Sequence, residues 1–313
     1  MGRASGQVAG ILPMKAPELT SLTANLLCLA SMLVWAMGLP AADVLIGPVP
    51  PLWLVAARMA VAAAVLLPVW LIWERPDWRR APWGKGAAVG ALLGACGFLI
   101  VVAQAATDAV TVAVVSASMP VIGITIEVLA EGRRVSLPLL AGVALSLAGG
   151  LLVYAAAMGN LDLGLGALAA LVSTVLFTLA SRWTVTALPA QSPLGRTALT
   201  LTGAALVSGV AALVASALGS PSPDWAAIGA REWGALLIYG FFAMALSQML
   251  WIASLGHLGI GLGALHINAA PFYVMIFLFL LGQPWNWMQA LGALIVGAGV
   301  LIAQSGPAKV RSA

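Results

Sequence analysis

The sequence predicts an all-α polytopic membrane protein, with ten transmembrane helices arranged as two inverted-topology five-helix repeats around a central cavity. Three observations predict it: a composition that water cannot solvate, ten apolar stretches of spanning length, and a second half that repeats the first. The expected organisation is a cytoplasmic tail over 1–20, a first repeat over 21–158, a second over 159–306 and a cytoplasmic tail over 307–313.

Apolar residues make up 62% of the chain, charged residues 8%, and the mean hydropathy is +1.05. A soluble domain is roughly 45–50% apolar and about 25% charged. The 34 glycines and 18 prolines lie scattered inside apolar runs, as is usual in membrane helices. Cys28 and Cys96 sit in such runs and read as small buried hydrophobes, with no metal or disulfide spacing. Residues 1–20 lack a continuous apolar core of the signal-peptide kind.

A transmembrane helix needs about 20 mostly apolar residues. Such segments run over 21–41, 51–73, 84–106, 109–130, 136–157, 162–184, 195–218, 233–255, 259–281 and 287–306, with short links at 106–109 and 255–259. These runs do not alternate as barrel strands must.

Orientation follows from the basic residues. With the N-terminus inside, Arg3, Lys15, Arg75, Arg79, Arg80, Lys85, Arg133, Arg134, Arg182, Arg196, Lys309 and Arg311 fall on the inner side. Only Arg231 falls outside, and Arg58 lies within a span. The net charge of +4 therefore reads as a topology signal, with no nucleic-acid partner expected. Both termini are expected in the cytoplasm, and the expected partner is a lipid bilayer, the inner membrane of a bacterium. Trp73, Trp78, Trp83 and Trp183 fall near inner ends, and Trp53, Trp225, Trp233, Trp285 and Trp287 near outer ends, as headgroup anchors do. Trp70 extends the inner belt on this reading.

Residues 116–154 and 266–304 align. Pro120 matches Pro271, Gly142 matches Gly292 and Gly149 matches Gly299, while Trp83-Gly84 matches Trp233-Gly234 upstream. Ser31 and Trp35 stand like Ser173 and Phe177. Five helices per copy is an odd number, so the second copy starts on the opposite face. Secondary transporters use this arrangement, because a structure and its inverted copy can trade conformations around a central site. The competing reading is a duplication that only enlarges a bundle.

Several local features sharpen the comparison: Pro50-Pro51 with Arg58 following, the mid-span Pro120, the Glu131-Gly132-Arg133 turn and the glycine-spaced closing helix from Gly292 to Leu301. On these the chain resembles ten-helix permeases of the drug/metabolite transporter superfamily, of the EamA type. At the second-copy turn it reads Gly282-Gln283-Pro284 where the family often carries Gly-Glu. The resemblance implies a cavity between the halves, lined by helices 1, 3, 4, 6, 8 and 9, with helices 5 and 10 joining the halves. It also implies export of amino acids or related metabolites.

Pro120 and Pro271 fall mid-span, where each removes an N–H and frees the carbonyl four residues earlier, at Ser116 and Ile267. Irregular backbone at membrane depth lines a wet cavity or is buried in protein. Ser116 and Ser118 flank one kink, and His266 and Asn268 the other; a packing kink is the alternative. Trp35, Phe177 and Trp251 lie deep in their spans, with Phe98 and Tyr239 as further aromatic candidates. They can enclose an apolar side chain or merely pack. Gln248 and Gln104 are amides in hydrocarbon that need partners, from a ligand or from a neighbouring helix. Arg58 is read as snorkelling or as a structural ion pair with Asp43, over carboxylate binding. Glu127 is read as an interfacial ion pair near Arg133 and Arg134.

Intramembrane acids and histidines are scarce, so weak or absent ion coupling is expected. The sequence carries no phosphate loop, HExxH or GxSxG motif, so no cofactor, no metal and no enzymatic activity are expected. The expected function is export of small metabolites, foremost amino acids, by alternating access in a monomer. Nucleobases, organic cations and drugs are the alternative cargoes, and an integral membrane enzyme acting on lipid is the alternative class.

Overall fold

The computed structural model describes residues 20–132, 134–158, 164–285 and 287–305. Apart from Thr20, the predicted tails lie outside the described residues, and so do Arg3, Lys15, Arg133, Lys309 and Arg311. Among the described residues every regular element is helical.

The first half runs α1 (Ser21–Ala36), α2 (Gly38–Leu45), α3 (Pro51–Trp73), α4 (Trp83–Ala106), α5 (Ala109–Ser116), α6 (Met119–Glu131) and α7 (Leu137–Met158). The second runs α8 (Leu165–Ala187), α9 (Pro193–Ala217), α10 (Ala230–Leu237), a π-helical segment (Ile238–Leu246), α11 (Ser247–Ala264), a 3-10 segment (Leu265–Ala269), α12 (Ala270–Leu280) and α13 (Trp287–Gln304). Six helical stretches are long and apolar enough to cross a membrane: Ser21–Leu45, Pro51–Trp73, Trp83–Ala106, Leu165–Ala187, Pro193–Ala217 and Ala230–Leu280. Shorter apolar helices complete the set.

Local chemistry sets the helix ends. Thr20 caps α1 by accepting from Thr23 N, and Ser192 caps α9 by accepting from Gly195 N at 2.9 Å. Pro51 and Pro193 occupy first-turn positions, where a missing N–H costs nothing. Asp108 accepts from Val110 N and Thr111 N, capping α5.

Pro120 and Pro271 do not act as mid-helix kinks. Span 4 is broken between α5 and α6, and Pro120 stands in the first turn of α6. The second copy repeats the device: α11 gives way to the 3-10 segment, and Pro271 stands in the first turn of α12. Predicted spans 8 and 9 run together by hydrogen bonding, but Gly259 (φ 74°, ψ 171°) breaks the path. That backbone region is open essentially to glycine alone.

The halves interleave. α4 packs on α8 and α9, α3 packs on α9, α1 packs on α11, and α7 packs on α13. Swapping each helix for its repeat counterpart exchanges α4–α8 with α1–α11, returns α3–α9 and α7–α13 to themselves, and carries α4–α9 to the packing of α3 on the π-helical segment. The α4–α9 seam is closest: a Cβ on Gly90 would sit 2.3 Å from Ala204 N, and one on Gly203 would sit 2.5 Å from Gly86 O. Small residues let membrane helices approach backbone to backbone.

Large apolar side chains such as Ile72, Leu129 and Leu294 are exposed on the outside of the bundle, where lipid meets them. Trp73, Trp78, Trp183, Trp225, Trp233 and Trp287 are exposed. Trp70 departs from the belt expectation. It is fully buried and meets Trp83 edge-on at 6.1 Å, because its face of α3 turns toward α9.

Candidate functional site

A cavity of about 40 Å³ lies between the halves. One water needs at least about 10–15 Å³ measured this way, so the cavity has room for a few waters. α1, α4 and α8 contribute through Ser31, Trp35, Cys96, Gly97, Ser173 and Phe177. The broken span adds Ser116 and Met119. The π-helical segment and α11 add Met244, Ser247, Gln248 and Trp251. α3 adds Arg58 and Met59, so helix 2 joins the wall that resemblance drew without it.

Five predicted residues thus share one cavity: Trp35, Ser116, Phe177, Gln248 and Trp251. Trp251 stacks on Phe177 with ring centroids 6.1 Å apart and 27° between planes. Its indole Nε1 donates to Ser181 Oγ at 2.9 Å, which fixes the ring. Gln248 is buried and its Nε2 has no partner.

Phe98, Ser118, Tyr239, His266 and Asn268 are not on the wall. Phe98 packs into the core around α3, α4 and α9. His266 is buried with Nδ1 3.2 Å from the carbonyls of Leu262 and Gly263, so its own helix turn occupies the ring. Asn268 is buried with both amide atoms unpartnered, and Ser118 Oγ likewise lacks a partner. Tyr239 sits one layer back, supporting Arg58.

The ion pair expected between Arg58 and Asp43 does not form. Asp43 Oδ1 accepts from Gln104 Nε2 at 2.6 Å, and the same amide nitrogen reaches Leu39 O at 2.7 Å. Arg58 instead faces the cavity, 5% exposed. Its Nη1 donates to Tyr239 Oη at 2.6 Å, its Nη2 lies 3.1 Å from Met244 Sδ, and its Cζ lies 4.2 Å from the Tyr239 ring centroid. The π-helical turn explains the geometry. It carries both Tyr239 and Met244, and Gly240 within it lies so close to α3 that a Cβ would sit 2.6 Å from Val61 Cβ. Such π segments gather at functional sites, and no residue pattern announced this one.

Glu127 is 1% exposed, and its Oε1 accepts from Gly261 N at 2.9 Å, at the start of the helix that follows Gly259. A carboxylate at a helix N-terminus also meets the favourable end of its dipole. A second recess of about 70 Å³ lies here, bordered by Glu127, Arg182 and Gly259. No group of three or more His, Cys, Asp or Glu side chains suited to a metal occurs among the described residues.

Comparison with known proteins agrees with this architecture. The chain shares 30% identity over 112 residues with the uncharacterized transporter YyaM of Bacillus subtilis (strain 168). That match spans 36% of this chain and 35% of the relative, about a third of its length. A crystal structure of another protein superimposes with a TM-score of 0.74 over 91% of this chain and 97% of its own, at 22% identity, which is a likeness of fold alone. The EamA-like transporter family matches twice, over residues 22–155 and again over 164–304. A multi-pass helical protein with a polar-spotted cavity between two copies of that unit, this chain belongs to the EamA-like transporter family.

Proposed function

We propose that this protein exports small metabolites, foremost amino acids, across the bacterial inner membrane by alternating access, without ATP. The observation that carries the reading is the cavity walled by both family units at once.

A ten-crossing topology belongs to the same reading. Ala230–Leu280 holds 51 residues, about 75 Å at 1.5 Å per residue, more than twice a bilayer core of about 30 Å. Divided at Gly259, it supplies two crossings. The broken α5–α6, α7 and α13 supply three more beside the five other long stretches. Five crossings per repeat, over 21–158 and 159–306, invert the second copy and return both termini to the cytoplasm. Arg75, Arg79, Arg80, Lys85, Arg134, Arg182 and Arg196 then share the inner side.

Amino acids suit the wall because the Trp251–Phe177 stack meets an apolar or aromatic side chain, while Gln248, Arg58 and the serines meet polar ends. Among the described residues the wall holds no acid or histidine, which favours facilitated movement over proton coupling. One polypeptide provides both halves, so a monomer suffices.

The test is flux of labelled amino acids, nucleobases and organic cations in proteoliposomes. Amino acids are expected to move in the wild type, to slow in Trp251→Ala, and to move at near wild-type rate in His266→Ala. Movement of cations alone would overturn the cargo, and accumulation driven by an imposed pH difference would overturn the uncoupled mechanism. Absence of any flux, with no ligand stabilising the purified protein, would return the reading to an enzyme or a scaffold.

A further inference from the structure

A cation buried in a membrane protein without a counter-ion is expensive. Arg58 is in that position. Its guanidinium rests on a phenol, a thioether and an aromatic face. Its Nε is buried without a partner. The nearest acid along the opening helices, Asp43, is held by Gln104, and no acid lines the cavity. A second donor on the same wall, Gln248 Nε2, is also unpartnered. Among the described residues the site therefore holds one positive charge and two unpartnered N–H donors, with no acid on its wall.

We propose that Arg58 is the docking point for a carboxylate, so that the cavity selects solutes by their acid group and not by their amine. This rests on the reading of the cavity as the transport site. A carboxylate is planar and accepts several hydrogen bonds, and a guanidinium is the donor that fits it. Tyr239 and Met244 occupy the two Nη groups and leave Nε without a partner. The Trp251–Phe177 stack gives the solute's apolar body a flat neighbour. For an ammonium the same wall offers only neutral groups such as the Thr174 hydroxyl, and the Arg58 charge repels it. The cavity is thus built for monocarboxylates, of which amino acids are one subset. The empty state carries the cost of the unpaired charge, and the cargo removes it.

Three probes of one shape separate the possibilities: L-phenylalanine, 3-phenylpropionate and 2-phenylethylamine, each measured for flux in proteoliposomes and for thermal stabilisation of the purified protein. Both acids are expected to move and to stabilise, and the amine to be weaker by about tenfold or more, the weight of a charge-assisted hydrogen bond. Arg58→Gln is expected to abolish the preference for the acids while leaving the empty protein as stable as the wild type or more so. Arg58→Lys keeps the charge without the planar fork and is expected to restore part of the preference. An amine that moves as well as the acids in the wild type would overturn the carboxylate assignment while leaving transport intact. So would an Arg58→Gln variant that folds and still prefers acids. If none of the three moves or stabilises, and no other small solute does, the transport reading itself falls. If Arg58→Gln does not fold, the wild-type ranking of the three probes decides alone.

Discussion

Ser31 Oγ donates to the backbone carbonyl of Ser247 at 2.9 Å. The second copy repeats the contact: Ser173 Oγ donates to the carbonyl of Cys96 at 2.9 Å. Ser31 and Ser173 are repeat counterparts, and the offset that carries Pro120 to Pro271 also carries Cys96 to Ser247. In each case the first helix of one half is pinned to the third helix of the other, at the cavity wall. The two halves are therefore joined through reciprocal bonds, and both bonds flank the cavity.

These pins are independent and of ordinary strength. Ser31→Ala and Ser173→Ala are each expected to lower stability by about 0.6 kcal/mol, the mean for interhelical hydrogen bonds in membranes. The double variant is expected to lose the sum. Reversible unfolding in mixed detergent micelles measures all three.

At Gly90 and Gly203 the α4–α9 seam tolerates no side chain. Gly90→Leu would drive carbon into backbone atoms already 2.3 Å from a modest Cβ. Folding is expected to fail, read as loss of a monodisperse peak on size-exclusion chromatography. Gly209→Ala, on the same α9 with open space around it, is expected to purify normally and to gain up to about 1 kcal/mol of helix propensity.

Gly259 is required for its backbone angles. Gly259→Ala forces a side chain into φ 74°, ψ 171°, a cost of about 1–3 kcal/mol. A lower thermal midpoint is expected, with proteolytic nicking in vesicles rising first at the 255–259 link.

The aromatic stack is expected to set preference among cargoes. Trp251→Phe keeps a ring against Phe177 but loses the bond to Ser181. Aromatic pairs are worth about 0.5–1.5 kcal/mol beyond burial, so affinity for aromatic solutes is expected to fall by roughly two- to tenfold in Trp251→Ala relative to Trp251→Phe. Affinity for small aliphatic solutes is expected to change less. A competition series in counterflow measures both.

The fold was legible where physics acts along the chain. Spanning length and the repeated prolines are local signals, and the described helix ends fall within a few residues of the predicted ones in α3, α7, α8 and α9. The cavity was half legible. Trp35, Phe177 and Trp251 stood out because large rings deep in apolar runs need a reason. Arg58 was assigned to the wrong partner because sequence distance made Asp43 its nearest acid; the facing of α3 toward the π-helical turn decides otherwise. His266 looked like a wall residue, yet its own helix carbonyls claim it. Both outcomes depend on rotation about a helix axis, which apolar runs without a polar stripe do not encode.

Native Cys96 offers the most direct test, since it lines the cavity while Cys28 does not. In a Cys28→Ser background, Cys96 is exposed to membrane-impermeant 2-sulfonatoethyl methanethiosulfonate in sealed vesicles of either orientation. Alternating access through this cavity predicts modification from both sides, slowed by a transported solute. Cys96 that reacts from neither side, while the denatured protein reacts fully, would contradict the account.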